Sequence, residues 1–251
     1  MHVRQTEAGK HKTRLARCRV AGPTRWDFWE IWSGCGNLTA AVVQVGGTVG
    51  PSIDISRSTS GQRLILDLED MEDVELLWRL LHEFRPRHVH TGPPCTFWGQ
   101  LGRFTAVRTL QEWMALRVKA VHHLRLAVRV MRWQDSQGLT GTFEQPPRCV
   151  SWRLRCVQAL LELPRWERYT WPSCVYGHRD PGSGRPFLKR QGFASNVNLA
   201  PMRARCSCGK GRHQVVQGVV ESGERAGQRR SSVSGEYPPR MCEKIARLIQ
   251  Q

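Results

Sequence analysis

No apolar run in this 251-residue sequence approaches the about 18 residues needed to span a bilayer, so a membrane protein is not expected. The N-terminus lacks the apolar core of a secretory signal. The nine cysteines are odd in number and scattered without the spacing of a disulfide framework. Reduced thiols in an intracellular compartment, nuclear or cytoplasmic, are the corresponding expectation. No internal repeat is found. Acidic residues are scarce, 21 against 38 Lys and Arg, for a formal net charge of +17. Such an excess suits a polyanion, because each neutralised phosphate releases condensed counterions. Charge alone does not choose between DNA, RNA and an acidic partner.

What is present begins with a basic arm. Residues 1–25 hold Arg4, Lys10, Lys12, Arg14, Arg17, Arg19 and Arg25 against one acid, Glu7, and read as disordered. An organelle transit peptide is the alternative, although the segment is poor in Ser. A globular domain is expected over residues 26–251, since 40% apolar residues suffice for a buried core. It opens with a short aromatic strand at 27–32 that stops at Ser33-Gly34-Cys35-Gly36. A small-residue helix at 37–43 follows, then a strand at 48–53 ending on Asp54. Strand, glycine turn, helix, strand and acid form the opening unit of a nucleotide-binding α/β fold. The alternation continues with a strand at 64–68, an amphipathic helix at 74–84, a strand at 87–90, a long helix from 109 to about 133 and a strand at 140–143. It predicts a mostly parallel sheet with helices on both faces. Residues 197–233, rich in Gly, Arg and Ser, read as an irregular insert, and a closing helix is expected over 238–249.

Three groups of residues carry chemistry. Gly34 and Gly36 would let the backbone approach a ligand at a helix N-terminus, and Asp54 stands where such folds place an acid for ribose hydroxyls. Pro93-Pro94-Cys95 follows a strand, where two prolines would aim a thiol into the crevice above the sheet. Alone, Cys95 would more readily be a structural thiol. Glu144, at the end of the next strand, can share its pocket, and the pair then suits attack on a pyrimidine ring. For Glu144 a surface carboxylate capping a turn remains the alternative.

The order Ser33-Gly34-Cys35-Gly36, Asp54, Gly92-Pro93-Pro94-Cys95, Phe143-Glu144-Gln145-Pro146 resembles the DNA/RNA cytosine-5 methyltransferases, as a divergent member. Ser234-Gly235-Glu236-Tyr237-Pro238-Pro239 before a helix resembles the last motif of that family. Tyr176-Gly177 with Lys189-Arg190-Gln191 resembles a basic motif between. The resemblance implies a Rossmann-like methyltransferase fold that binds S-adenosylmethionine. It makes Cys95 the nucleophile and Glu144 the acid. It assigns Phe28, Trp29, Gly34, Gly36, Asp54, Asp67, Leu68 and Pro93 to the cofactor. Trp98, Arg103, Lys189 and Arg190 become candidates to meet nucleic acid, DNA before RNA. The sequence departs from the family at Gln145, Thr96 and Trp98, and its target-recognition stretch is short. Two other readings stay open: a degenerate, non-catalytic nucleic-acid-binding domain of mobile-element origin, and an enzyme of this fold acting on another substrate such as a structural RNA.

One motif lies apart from this set. Cys206-Ser207-Cys208 and His213 in the insert could supply three zinc ligands, with Cys174 or another thiol as fourth. The CxC spacing is unlike the usual CxxC, and free thiols in a basic loop are the preferred expectation.

Overall fold

The structure, a computed structural model, describes residues 25–55, 63–98 and 109–251; the basic arm up to residue 24 and Arg103 lie outside the described residues. Among the described residues there are seven strands: β1 (Phe28–Ile31), β2 (Ser52–Asp54), β3 (Arg63–Ile65), β4 (His88–Thr91), β5 (Thr140–Glu144), β6 (Glu167–Pro172) and β7 (Arg190–Ser195). They form one sheet in the order β3-β2-β1-β4-β5-β7-β6. Neighbours from β3 to β5 pair in parallel, and β7 runs antiparallel to both β5 and β6. The fold is therefore Rossmann-like α/β with a mostly parallel sheet, as expected.

Helices cover both faces. On one, α2 (Met71–Phe84), α3 (Leu110–Ser136) and α4 (Arg155–Leu161) bury Leu77, Leu81, Ala127, Met131 and Leu160 against Trp29, Ile31, Val89 and Phe143. On the other, α1 (Asn37–Gln44) and α5 (Pro239–Ile249) bury Leu38, Val42, Met241 and Ile245 against Phe28, Trp171 and Phe193. Strands buried on both sides need near-continuous apolar runs; β1 supplies Phe28, Trp29 and Ile31, with Glu30 as a buried polar exception. Local signals set the helix ends. Asp70 accepts from the Glu72 amide to start α2, Thr109 and Glu112 make a reciprocal capping box on α3, and Pro239 opens α5.

Several boundaries differ from the sequence expectation. The second strand is shorter, with Val49 retained only as an isolated bridge to Phe28. The third leaves the sheet after Ile65, because the Asp67 amide turns to the Asp73 carboxylate at the start of α2. The pairing of β6 with the reversed β7 had no assigned counterpart in the sequence. The insert is irregular apart from a short 3-10 turn, Ala200–Met202, and one helical turn, Arg230–Val233. From residue 203 to 219 no side chain is buried.

Candidate active site

The chain runs outward from β1 to β3 and returns to β4 on the other side of β1. That reversal opens a crevice at the C-terminal ends of β1 and β4, where α/β sheets bind ligands. The glycine turn lies on its floor. Trp32, Gly34 and Gly36 have φ of 58°, 54° and 74°, so three of five residues are left-handed. Glycine adopts that conformation freely; Trp32, half-buried beside His123, does so only under constraint from its surroundings. A Cβ at Gly34 would meet open space, so the turn presents bare backbone to the crevice. The Gly34 amide donates to Asp54 Oδ2 at 2.8 Å, and Arg63 Nη2 donates to the Gly34 carbonyl at 2.5 Å. Beneath it the Glu30 carboxyl is enclosed and held by the Thr39 amide (3.0 Å) and hydroxyl (2.5 Å). Burial pushes Glu30 up to about 7.

Across the crevice Cys95 is half-buried on the loop leaving β4. Its position depends on Gln145, which is completely buried. The Gln145 side-chain amide donates to the Pro93 carbonyl at 2.7 Å, its oxygen accepts from the Ser151 hydroxyl at 3.2 Å, and its backbone amide bonds the Gly192 carbonyl. The departure from the family pattern at this position thus clamps the Pro-Pro-Cys loop to β5 and β7.

Burial pushes the Cys95 thiol up to about 11, reinforced by the Glu144 carboxylate and opposed by the Lys189 ammonium. Glu144, at the end of β5, is pushed up to about 7 by burial, again against Lys189. Lys189 is held below the usual lysine range by burial, with Glu144 and Cys95 pulling the other way. The three groups lie near enough for each to act on the charge of the others. Lys189 Nζ donates to the Ser234 carbonyl at 2.6 Å, tying the segment before the last helix to the site. The Tyr237 hydroxyl is raised well above its ordinary value by burial and then by Glu144, and lies 3.3 Å from His90 Nε2. His90 and His88 share the Thr142 hydroxyl at 2.8 and 3.1 Å, and burial lowers both to about 3.

The remaining expected residues fall in different places. Phe28 and Trp29 are fully buried core side chains on opposite faces of β1; Trp29 Nε1 donates to the Pro51 carbonyl. Asp67 is exposed on the loop after β3, and Leu68 is buried, its carbonyl bonded to His122 Nε2 at 2.8 Å. Trp98 is 1% exposed under the Arg117 guanidinium, 4.3 Å from its ring. Arg190 is exposed, whereas its neighbour Lys189 faces inward. Trp32 was missed in the sequence; an aromatic directly before a glycine turn was the available signal. The inward turn of Lys189 had none. A cavity of about 530 Å³ lined by Arg168, Thr170, Arg203, Ala204 and Arg205 opens beside β6. In the insert, Cys206, Cys208 and His213 meet Cys174, with all four ligand atoms within 4.8 Å of one another.

Comparison with protein-family models and with curated proteins finds no match. Among solved structures the chain is similar to the Dnmt2 methyltransferase of S. pombe, with a TM-score of 0.42 and 11% identity over 82% of this chain. It spans 57% of the length of that protein. A likeness this distant carries no function across, and the α/β fold stands on the strand order itself.

Proposed function

We propose that this protein is an S-adenosylmethionine-dependent methyltransferase that acts on carbon 5 of cytosine in nucleic acid, DNA before RNA. The observation that carries the reading is the Gln145 clamp, which ties the Pro93-Pro94-Cys95 loop to the end of β5 where Glu144 stands, with Cys95, Glu144 and Lys189 near enough to act on one another's charge. The crevice fits a nucleoside cofactor. Its floor is bare left-handed backbone at Gly34 and Gly36, and the Asp54 carboxylate is oriented by the Gly34 amide. The turn, Asp54, the 67–68 loop and Pro93 would hold the cofactor, which when bound supplies an electrophilic methyl group.

The residues of the chain do the rest. The Cys95 sulfur adds to carbon 6 of the base as its proton leaves. Glu144, titrating near neutrality, supplies a protonated carboxyl to the ring nitrogen, so that electron density collects at carbon 5. Lys189 is the group that opposes the high pKa of the thiol and favours the attacking thiolate. Once carbon 5 is methylated its proton passes to solvent, the electron pair left behind restores the carbon 5–carbon 6 double bond, and Cys95 leaves as thiolate and regains from solvent the proton it lost at attack. The net charge of +17 and the arginine-lined cavity beside β6 support a polyanionic substrate.

A non-catalytic nucleic-acid-binding domain is the second reading. It is favoured by the Cys95 thiol being pushed up to about 11, which leaves little thiolate at neutral pH. Incubation with radiolabelled S-adenosylmethionine and a panel of DNA and RNA substrates separates the two. The enzyme yields labelled 5-methylcytosine on nucleoside digestion. A protein whose melting temperature rises with the cofactor, yet which labels none of the panel, is the inert domain.

A further inference from the structure

The cysteine–histidine cluster of the insert lies outside the pocket described above, and it has the composition and spacing of a metal site. We propose that Cys174, Cys206, Cys208 and His213 hold a structural zinc ion. The Cys174 and Cys206 sulfurs are 3.4 Å apart, Cys206 Sγ is 3.3 Å from His213 Nε2, and every pair among the four ligand atoms is within 4.8 Å. Tetrahedral zinc with bonds of about 2.3 Å to sulfur and 2.05 Å to nitrogen sets sulfurs about 3.8 Å apart and sulfur from nitrogen about 3.6 Å. The Cys174–Cys206 and Cys206–His213 separations are within a few tenths of an ångström of these values, and no pair exceeds them by more than about 1.2 Å. A disulfide needs about 2.05 Å between sulfurs and would leave the third thiol and the imidazole unused.

The surrounding backbone supports a metal. Gly209 and Gly211 have φ of 77° and 76°, and these left-handed turns fold the chain back so that His213 returns to Cys206. The Cys208 amide points at Cys206 Sγ at 3.4 Å, the kind of outer hydrogen bond that orients a thiolate ligand. Residues 203–219 fully bury no side chain, and Val216 alone among them packs against a hydrophobic cluster, so apolar burial does little to hold the turn around Cys206. A metal supplies the missing constraint in such coreless segments. Three thiolates and a dication leave one net negative charge, which suits a loop carrying Arg205, Lys210 and Arg212. Four protein ligands leave no open position, so the site is structural rather than catalytic.

The cluster also reaches the segment just before β7 that carries Lys189. Ser173, next to Cys174, donates its amide and hydroxyl to the Lys189 carbonyl at 2.9 and 3.0 Å. Gln214, next to His213, accepts from the Leu188 amide at 2.8 Å. The metal thus fastens two segments that flank the backbone of Lys189.

The test is the metal content of the full-length chain purified without chelator, by mass spectrometry, together with cobalt substitution. About one zinc per chain is expected, and the cobalt form should show the intense visible bands of tetrahedral thiolate ligation. Cys206→Ala should lose the metal, and His213→Cys, which keeps a fourth ligand, should retain it. Should Cys206→Ala fail to fold, the cobalt spectrum of the unaltered chain still decides. A folded chain that takes up no zinc after reconstitution, an octahedral cobalt spectrum, or a mapped Cys174–Cys206 disulfide in the purified protein overturns the assignment.

Discussion

Cys95 and Cys206 are both thiols on loops, yet their loops are held by opposite means. The Cys95 loop leaves a buried strand, is clamped by the enclosed amide of Gln145 and packs near a core containing Trp98 and Trp152. Burial there shifts every titratable group it touches: Cys95 and Glu144 upward, Lys189 downward. The Cys206 loop has no buried side chain. It is held by hydrogen bonds from Arg185 to the carbonyls of Gly211 and His213, by the bond pair around Gln214, and by the Cys–His cluster. A dense core both positions a side chain and retunes it, whereas a segment without a core must be cross-linked to keep one conformation.

The largest effect that would break this comparison is chemical. Glu144→Gln should lower methyl transfer by about 10²–10⁴-fold, the usual worth of a positioned acid, with cofactor binding retained. Cys95→Ser should lower it further still while leaving the melting temperature near that of the parent. Steady-state transfer assays and thermal melts check both; a Cys95→Ser chain with near-parental turnover would remove this thiol from the mechanism.

Next comes the clamp. Gln145→Leu leaves the Pro93 carbonyl and the Ser151 hydroxyl without their buried partner. A cost of about 2–3 kcal/mol is expected in urea unfolding. Smaller again is Thr142→Val, which deletes the hydroxyl shared by the two buried imidazoles; about 1–2 kcal/mol is expected. Equal stability of either variant and the parent would show that the polar line inside the sheet does not need these partners.

The dependence of stability on pH sharpens the contrast, since it arises from the core and not from the insert. His88 and His90 titrate at about 3 when folded against 6.5 ordinarily, so the fold binds fewer protons than the unfolded chain between those values, and stability rises with pH there. Glu30 and Glu144 titrate at about 7 when folded against 4.5, so the fold binds more protons across that window, and stability falls with pH there. The melting temperature should climb from pH 3 to about 4.5 and then more gently to about 6.5, where the two glutamates offset His88 and His90 but not the lowered His178 and His123. Replacing both glutamates by Gln should steepen that gentler stretch. The smallest effect expected on the sheet is that of chelation, which should expose residues 203–219 to protease while shifting the main unfolding transition little.

How much of this was legible follows from distance along the chain. The strand–helix alternation through Glu144 and the closing helix could be read because each element carries its own periodicity and caps, as in Thr109 with Glu112. The positions of Gly34, Asp54, Cys95 and Glu144 were legible for a related reason: each ends a strand or lies on the loop just after one, and parallel sheets gather strand ends at one edge. The reversed β7 was not, because Arg190–Ser195 is short, contains Gly192 and takes its register from partners far away in sequence. Lys189 therefore read, like Arg190, as a candidate to meet nucleic acid. Its inward turn follows from Ser173 and Ser234, to which no local pattern points. The burial of Trp98 was hidden for the same reason, since its place under Arg117 depends on a helix that begins beyond the loop. Cys174 lies 32 residues before Cys206, and only the fold brings the two thiols together.

The covalent step at Cys95 is the centre of this account, and trapping it is the most direct measurement. DNA and RNA containing 5-fluorocytosine are incubated with the protein and S-adenosylmethionine, then resolved on a denaturing gel. Fluorine cannot depart as the carbon 5 proton does, so the sulfur–carbon 6 bond should persist. The predicted result is a stable protein–nucleic acid adduct that is absent with Cys95→Ser and slow to form with Glu144→Gln. Cofactor binding without an adduct on any nucleic acid, or an adduct that survives Cys95→Ser, would contradict the assignment.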